Sequence, residues 1–517
     1  MRKFFYLFLV LLSGWMVSCK KDKQTTTPTL QPSKQGSTLD LIRDSIYLYA
    51  QEDYLWYDAL PDYATFNPRS VTGSTDIKAL TTEVDEISQY KINPSTGKPY
   101  EYYTPSPGEA KYSFIDDGTT STQLNGTRGD FGLAPLYNQV NDLRIKYVYP
   151  GSPADLAGIK RGYQVTAING NANIAYDGSS GTNVQFVINA FYNSNTITLT
   201  LKKPDATTIT ATVNVANYTS NPVLAYKVFD QGNGHKVGYV VFNSFTSDAI
   251  ADAKLNTAFD YFNSNGVTDL VVDLRYNGGG YVSTAEYLSN LIVPAAKTGT
   301  VMYNTYFNDK LVSGKAPLLA NQVRFDPTTK QSYNYGQFDY SVAGNVVKFS
   351  KVGSLNVNRV FFIVTGSTAS AAELTINNLR PTMDVQFIGT TSYGKPVGFF
   401  DIDINKYQMY IPEFSTKNSG GQGDYYAGMT PGSTGFPGVM DYDDVTKDFG
   451  DPTEGLLAHA LNFVKTGNYT AVAPQAQNAS IGSDLRSFSI SQSRDAALEM
   501  ESHQFSGMIF NKKLKTK

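Results

Sequence analysis

Apolar segments typical of strands alternate with helical patterns in the second half of the chain, and this alternation narrows the possible folds. Apolar runs typical of buried strands occupy 237–242, 268–274, 359–364 and 385–388, and helical patterns occupy 248–263 and 370–379. Strands that are apolar on both faces need helices on both sides of their sheet. We therefore predict an α/β layered core over residues 219–470, with a hairpin-bearing insertion at about 300–355.

The 517 residues exceed what one hydrophobic core usually supports, so further domains are expected. Residues 38–118 carry apolar positions at helical spacing and predict a small helical N-terminal domain. Short strands with turn signals at 119–218 predict a β domain. The predicted fold class is thus multidomain α+β. Residues 471–517 are rich in Ser, Gln and Asn, and no role is predicted for them.

The single cysteine, Cys19, follows a short positively charged and then apolar N-terminus. The apolar run 4–12 is too short to span a membrane, and residues 1–19 resemble a bacterial lipoprotein signal peptide. The resemblance implies acylation of Cys19, a flexible tether over the polar residues 20–37, and a location on the cell envelope, at the periplasmic or the outer-surface face. An ordinary signal peptide with an incidental cysteine is the alternative.

The composition argues against several other functional classes, namely nucleic-acid-binding and metal-binding proteins. A net charge of −3 gives no basic surface, so no nucleic-acid partner is expected. One cysteine and three scattered histidines make a zinc site improbable, and no metal or cofactor is expected. The acidic run 441–444 lacks the glycine and the distant glutamate of a calcium loop and predicts a solvated loop.

A candidate nucleophile, Ser370, follows the strand 359–364 at a turn rich in Gly and Ser. A helix begins at or just before Ser370, and the free N–H groups and dipole at its start favour developing negative charge. A serine at this position is, on its own, usually a helix cap. A serine nucleophile also needs a base, and none of the three histidines lies in a suitable segment.

A candidate base, Lys395, lies 25 residues beyond Ser370, in the turn after the strand 385–388. A lysine base must be neutral near pH 7, so burial must lower its pKa from the ordinary value of about 10.4. Its apolar neighbours favour such burial, and a plain exposed lysine is the alternative. A third turn, 278–280, consists of glycines that let the backbone approach a substrate and present N–H groups to it.

The β region opens with Phe131, Gly132 and Leu133. It continues with a strand at 143–148, a turn and short helix after Pro150, and a strand closed by Asn169-Gly170. This order resembles a PDZ domain, specifically the kind inserted in processing proteases. PDZ domains bind peptide C-termini by adding a strand to a sheet edge. The resemblance implies that the opening residues bind the carboxylate. A spacer with the same fold is the alternative, and Tyr163 stands where the family often has Asp.

Taken together, the motifs from about residue 40 to 465 resemble the carboxyl-terminal processing (tail-specific) protease family. The resemblance implies a crotonase/Clp-protease-like core and a serine endopeptidase that works through a Ser–Lys dyad and an acyl-enzyme. The residue roles it implies are Ser370 as nucleophile, Lys395 as general base, Glu373 as an assisting residue, and the N–H groups of Gly279 and Ala371 as the oxyanion hole. The implied partners are proteins or peptides with free C-termini.

Two other functions fit parts of the pattern. A catalytically silent peptide- or ligand-binding lipoprotein would use the same scaffold, but Ser370, Lys395 and the glycine turn are all present. A crotonase-type acyl-CoA enzyme shares a layered core and a glycine oxyanion turn, but the signal peptide and the PDZ-like region argue against it. Phe399 stands where some relatives carry a Gln, so the pattern leaves the third catalytic role open.

Overall fold

The computed structural model describes residues 32–178, 180–326, 329–470, 505–511 and 515–516. The predicted signal peptide, Cys19 and most of the predicted tether lie outside the described residues. Among the helices that the structure describes, none has the length and apolar character of a membrane-crossing segment.

Besides two single-turn 3-10 helices, the N-terminal region contains three α-helices and three short strands. They are α1 (Thr38–Asp53), α2 (Tyr63–Phe66), α3 (Asp76–Ser88), β1 (Ile92–Asn93), β2 (Lys98–Pro99) and β3 (Phe114–Asp116). Helix α1 begins where Ser37 and Asp40 bond each other's backbone N–H groups in a capping box. Its buried residues Ile46 and Tyr47 belong to the same hydrophobic core as the main sheet. The N-terminal helices therefore share the hydrophobic core that lies on one face of the main sheet.

The next region forms a separate β domain. Its elements are α4 (Thr119–Leu124), β4 (Thr127–Asp130), β5 (Leu133–Gln139), β6 (Asp142–Val148), α5 (Pro153–Leu156), β7 (Gln164–Ile168), α6 (Thr182–Tyr192), β8 (Thr196–Lys202), β9 (Thr208–Asn214) and β10 (Ala216–Thr219). The sheet runs β5-β6-β7-β8-β9 with antiparallel neighbours. Alternate residues of β8 point into a core that this region closes with α6. Strand β5 lies at one edge of this sheet.

The remaining described residues form the layered region and its insertion. The elements are β11 (Val223–Gly232), β12 (His235–Phe242), α7 (Asp248–Ser264), β13 (Asp269–Asp273), β14 (Gly279–Tyr281), α8 (Val282–Ile292), β15 (Val301–Phe307), α9 (Asp309–Ser313), β16 (Val323–Asp326), β17 (Gln331–Asn334), β18 (Val346–Lys348), β19 (Arg359–Val364), α10 (Ala371–Leu379), β20 (Asp384–Gly389), β21 (Val397–Gly398), β22 (Ile402–Ile404), β23 (Tyr407–Tyr410), β24 (Phe414–Asn418), β25 (Gly438–Met440), α11 (Gly455–Thr466) and β26 (Gly507–Ile509).

The main sheet has the order β11-β12-β13-β19-β20-β25, and every neighbouring pair from β12 onward is parallel. Successive residues of its strands pack into different cores, as in β19, where Phe362 lies in the core shared with α7, α8 and α10 and Phe361 lies in the core formed with α11. Because both faces are covered, most residues of these strands are apolar, as in residues 360–364 of β19. The predicted α/β layered core and its predicted strands and helices are confirmed.

Smaller sheets connect the insertion and the N-terminal region to this core. Strands β16 and β17 form the predicted hairpin, and β18-β15-β24-β21 form an antiparallel sheet. Strand β3 of the N-terminal region pairs with β23, which also pairs with β22. This pairing brings the chain just before β3 to the carboxyl edge of the main sheet.

A buried ion cluster joins the β domain to the core. Arg275, which is 1% exposed, lies against the carboxylates of Asp273, Asp443 and Glu454. Arg161 of the β domain lies 2.6 Å from the same Asp443. Because Asp443 bridges two buried guanidinium groups, the prediction of a solvated acidic loop is wrong at this residue.

Candidate active site

The strand order explains why three motifs that are distant in sequence meet at one place. Strands β13, β19 and β20 are adjacent and parallel, so their carboxyl ends lie at the same edge of the sheet. The glycine turn follows β13, Ser370 follows β19, and Lys395 follows β20. Crevices outside the carboxyl ends of parallel strands are the usual ligand sites of such sheets.

Ser370 is the N-cap of α10 and has an unusual backbone conformation. Its φ of 57° and ψ of −107° lie outside the regions that L-residues ordinarily adopt. Strain of this kind persists where the surroundings impose it, and it clusters at functional sites. The side chain is fully buried, and its Oγ has no hydrogen-bond partner within the described residues. The hydroxyl faces the first turn of α10 but makes no cap bond of ordinary hydrogen-bond geometry, so capping alone does not explain a buried serine here.

Glu373 ties the serine to the lysine. One oxygen, Oε2, accepts hydrogen bonds from the backbone N–H groups of Ser370 at 2.9 Å and Lys395 at 2.8 Å. The other, Oε1, accepts from Ser392 Oγ at 2.5 Å and Gly394 N at 2.8 Å. Burial raises the pKa of Glu373, and these donors oppose the increase. The carboxylate therefore fixes two backbones relative to each other, which is a positioning role.

Lys395 is fully buried in a mostly apolar surrounding. Its Nζ lies 4.0 Å from the centroid of the Phe399 ring and donates to the backbone oxygens of Ser506 at 2.6 Å and Tyr112 at 3.3 Å. Burial lowers the pKa of Lys395 well below its usual value, and the nearby Lys111 adds to this effect. The carboxylates of Glu101 and Glu373 oppose the lowering. A lowered pKa favours the neutral amine, which is the form that a lysine base requires.

The N-terminal region supplies part of this surrounding, which the sequence did not predict. Glu101 is fully buried and accepts from Tyr54 Oη at 2.6 Å, from Ser113 Oγ at 2.8 Å, and from the N–H groups of Tyr112 and Ser113 at 3.1 and 2.8 Å. Tyr112 Oη donates to the backbone oxygen of Gly394, beside the lysine, at 2.6 Å. The segment before β3 thus forms one wall of the lysine pocket, and no sequence motif marks these residues.

The glycine turn is held by Asn277. Its Nδ2 donates to the backbone oxygen of Phe242 at 2.8 Å, and its Oδ1 accepts from Gly279 N at 2.8 Å. The Gly279 N–H, predicted to bind an oxyanion, is therefore engaged by Asn277 in the observed arrangement. The Ala371 N–H is the first of α10, where N–H groups have no acceptor within the helix.

A short strand from the end of the described chain lies beside this turn; we call residues 505–511 the tail segment. Its strand β26 pairs in parallel with β14, with Gly507 opposite Gly279. Gly507 N donates to the backbone oxygen of Gly278 at 2.9 Å. A Cβ on Gly278 would stand 2.1 Å from the Phe505 oxygen, so the close approach of the two backbones requires glycine there.

The opposite side of the tail segment meets Phe399. Phe399 N donates to the Met508 oxygen at 2.9 Å, and Phe510 N donates to the Phe399 oxygen at 2.6 Å. The tail segment therefore lies as an extended strand between the glycine turn with β14 and the backbone of Phe399. We call the space between these two backbone edges the groove.

In the loop predicted to bind a peptide carboxylate, the backbone groups of Gly132 already make hydrogen bonds within the protein. Gly132 N donates to Asp130 Oδ1 at 2.8 Å, and the backbone oxygen of Gly132 accepts from Tyr149 N at 2.8 Å. Phe131 is buried in the core of the β domain. Leu133 begins the edge strand β5. A bound carboxylate would therefore compete with Asp130 for the Gly132 N–H.

Among the described residues, no group of three or more His, Cys, Asp or Glu side chains is placed to hold a metal ion.

Comparisons with known proteins agree with this geometry. Residues 236–421 match the model of peptidase family S41. A carboxyl-terminal-processing protease of Picosynechococcus is 30% identical over 177 residues, covering 34% of this chain and 39% of that protein. The carboxy-terminal processing protease CtpA of Bacillus subtilis is 24% identical over 400 residues, covering 75% of this chain and 67% of that protein.

The fold has a solved counterpart. The crystal structure of a Bacteroides fragilis protein described as an S41 protease superposes with a TM-score of 0.53 at 23% identity, covering 81% of this chain and 96% of that one. The core therefore resembles the serine peptidases of family S41 in sequence and in fold. The chain spans about two fifths of the length of the Picosynechococcus protein.

Proposed function

We propose that this chain is a serine endopeptidase in which Ser370 is the nucleophile and Lys395 the general base. The observation that carries the proposal is the carboxylate oxygen of Glu373, which bonds the backbone N–H groups of both residues and so holds them around one point. The burial of Lys395 and the missing cap bond of Ser370 Oγ support the same roles.

The chemistry follows from these positions. The neutral amine of Lys395 takes the proton of Ser370 Oγ as the oxygen attacks the substrate carbonyl. The Ala371 N–H, at the positive end of the α10 dipole, stabilises the resulting oxyanion. A second donor from Gly279 requires its N–H to leave Asn277. The protonated Lys395 then passes the proton to the departing amine, and water releases the acyl group from Ser370.

A peptide substrate would bind in the groove as an extended strand. The groove offers backbone hydrogen-bonding groups on both sides, from Gly278 and from Phe399. Main-chain bonds of this kind supply affinity for an extended peptide, and the side-chain surroundings of the groove set which sequences fit.

Replacement of the nucleophile tests the proposal. The chain with Ser370→Ala should lose hydrolysis of an unfolded protein, followed as peptide release, by at least about 10³-fold. The exposed Ser433→Ala in the same background should keep the parent rate. Equal rates for the parent and Ser370→Ala would contradict the assignment. Peptide binding without hydrolysis in every variant would favour a silent binding protein instead.

Capture of substrate C-termini by the β domain is part of the proposal. The resemblance to PDZ domains, the edge strand β5 and the position of Leu133 at its start support it. Peptides with a free C-terminal carboxylate should then show a lower KM than the same peptides with a C-terminal amide. Equal KM values would contradict capture by Phe131, Gly132 and Leu133.

The proposed location is the bacterial cell envelope, with a lipid anchor on Cys19. The support is the resemblance of residues 1–19 to a lipoprotein signal. Labelled palmitate should enter the parent chain and should not enter Cys19→Ala. Equal labelling of the two would contradict the anchor.

A further inference from the structure

The groove of the proposed protease is filled by the chain itself. We propose that residues 505–511 are a resident inhibitory peptide, which binds the groove in cis and must leave before a substrate can enter. That the segment inhibits rests on the proposed function, because only an enzyme can be inhibited. That the segment binds the groove as a peptide ligand rests on its contacts alone.

Main-chain bonds hold the tail segment from both sides. Gly507 pairs opposite Gly279 on one side, and Met508 and Phe510 bond the backbone of Phe399 on the other. These are the groups that an extended substrate would need. The segment and a substrate therefore cannot bind at the same time.

Apolar side chains anchor the tail segment. Met508 and Ile509 are 0% and 4% exposed and belong to the core of the catalytic region. The ring of Phe505 lies 5.8 Å from that of Phe114, and the ring of Phe510 lies 5.6 Å from that of Phe414, both edge to face. Burial of this apolar surface supplies affinity that main-chain bonds alone lack.

Hydrogen bonds made by residues after β26 also fix this end of the chain against the protein. Asn511 Nδ2 donates to Ser283 Oγ at 2.8 Å, and Asp339 N donates to the backbone oxygen of Lys515 at 2.7 Å. Because the segment belongs to the same chain, its effective concentration at the groove is high and docking does not depend on protein concentration.

The bound segment engages the base in an unproductive way. Lys395 Nζ donates to the Ser506 oxygen at 2.6 Å, while Ser370 Oγ has no partner among the described residues. A carbonyl about to be attacked must direct its oxygen to oxyanion donors. The Ser506 oxygen is directed to the base instead, so its peptide bond is held away from the geometry of attack. The segment is therefore bound as an inhibitor and stays intact.

The contacts also define the class of peptide that the groove accepts. Opposite Gly279 the ligand has glycine, and a Cβ on Gly507 would stand 3.1 Å from a ring carbon of Phe399, which lines the groove. The two residues that follow it are apolar and buried. The groove is thus suited to an extended peptide with a small residue at the turn and apolar residues after it.

Loosening the tail segment should activate the enzyme. Met508→Asp places a carboxylate in the apolar anchor, and the matched control Met440→Asp makes the same change at a residue that is 44% exposed. In the full-length chain, Met508→Asp should raise the initial rate on an unfolded protein by at least about tenfold, because the competent fraction rises. Ile509→Ala, a milder change, should raise it in the same direction. Equal rates for parent, Met440→Asp and both tail variants would overturn inhibition.

A binding experiment separates this inference from the proposed function. A fluorescent peptide with the sequence of residues 503–511 is titrated into Ser370→Ala chains, in which no turnover is expected. It should bind the Ser370→Ala chain that also carries Met508→Asp. It should bind the Ser370→Ala chain that carries Met440→Asp with an affinity at least about tenfold lower, because the intact tail of that chain competes for the groove. Equal affinities would overturn occupation of the groove. Binding as expected with no hydrolysis by any variant would overturn the proposed function alone.

The intact mass of the parent gives a last check. The tail segment should remain uncleaved during incubation. A cut within residues 505–511 that disappears in Ser370→Ala would show that the segment is a substrate and would overturn its role as an inhibitor.

Discussion

At the scale of single residues, burial governs the ionisation of the proposed base. Lys395 sits in an apolar pocket that disfavours its protonated form, and the carboxylates of Glu101 and Glu373 limit how far its pKa falls. The sequence predicted Ser370 and Lys395 because each follows a buried strand in a distinctive turn. Glu101 could not be predicted, because its contact with the pocket depends on a fold-back of the N-terminal region that leaves no local pattern.

The pH dependence of hydrolysis tests the state of the lysine. A lysine accepts a proton only when neutral, and it is neutral above its folded-state pKa. Since burial lowers the pKa of Lys395, the rate should rise with pH and reach a plateau well below the usual lysine value of about 10.4. The measurement is kcat/KM between pH 5 and 9 with the Met508→Asp chain. A flat profile would contradict a lysine base.

Glu101→Gln tests the charge next to the lysine with little change of shape. The glutamine oxygen can keep the N–H bonds of Tyr112 and Ser113, and its amide can donate to the hydroxyl oxygens of Tyr54 and Ser113. The loss of negative charge lowers the pKa of Lys395 further, so the midpoint of the pH profile should move to lower pH. The exposed Glu109→Gln is the control and should leave the midpoint in place.

Glu373→Gln tests positioning. The amide of the glutamine would face a backbone N–H in at least one of the bonds that Glu373 now accepts, so Ser370 and Lys395 lose their common anchor. We expect kcat to fall by about 10²-fold with little change in KM, because a displacement near 1 Å has an effect of this size. The midpoint of the pH profile should also move down, as the charge near Lys395 is lost. A fall in rate without that movement would indicate a purely structural role.

At the scale of elements, parallel strands bring the motifs together. Because β13, β19 and β20 are neighbours, the turns that follow them meet at one edge of the sheet. The apolar runs of these strands made them predictable, and their bounds differ from the predicted ones by one residue at most at either end. The acidic run was less predictable, since the arginines that bury Asp443 come from distant segments.

Asp443→Asn tests the cluster that joins the β domain to the core. Removing the charge leaves two buried guanidinium groups without a common partner, which should cost about 3–5 kcal/mol of the free energy of unfolding. Urea unfolding followed by fluorescence measures it. The control is Asp448→Asn in the same loop, at an exposed residue, which should leave the unfolding midpoint unchanged. Equal midpoints for the two variants would contradict a stabilising cluster.

The Asp443 carboxylate should also make the stability of the fold depend on pH in the acid range. Burial alone would raise the pKa of Asp443, but Arg161 and Arg275 bring it down to about 2. A carboxylate with a depressed folded-state pKa stabilises the fold above its unfolded value of about 3.9 and loses that contribution as the pH falls toward 2. The parent should therefore lose stability between pH 4 and 2 more steeply than Asp443→Asn.

At the scale of the whole molecule, the regions are less independent than the sequence indicated. The N-terminal helices share one core with the main sheet, whereas the β domain has its own. The sequence predicted no role for the tail segment. Its apolar residues follow a long polar stretch and are too few to show a periodicity. The residues that the segment contacts, Gly278 and Phe399, lie more than a hundred positions away in the sequence. Only the fold reveals that the segment fills the groove.

Covalent labelling of the nucleophile tests the proposed roles of Ser370 and Lys395 together. The parent, Met508→Asp and Met508→Asp with Lys395→Ala are incubated with a fluorophosphonate, and the modified residue is identified by peptide mass spectrometry. We predict one adduct, on Ser370, formed faster in Met508→Asp than in the parent and lost when Lys395 is replaced. An adduct on another serine, or the same labelling of Ser370 without Lys395, would contradict the Ser370–Lys395 mechanism.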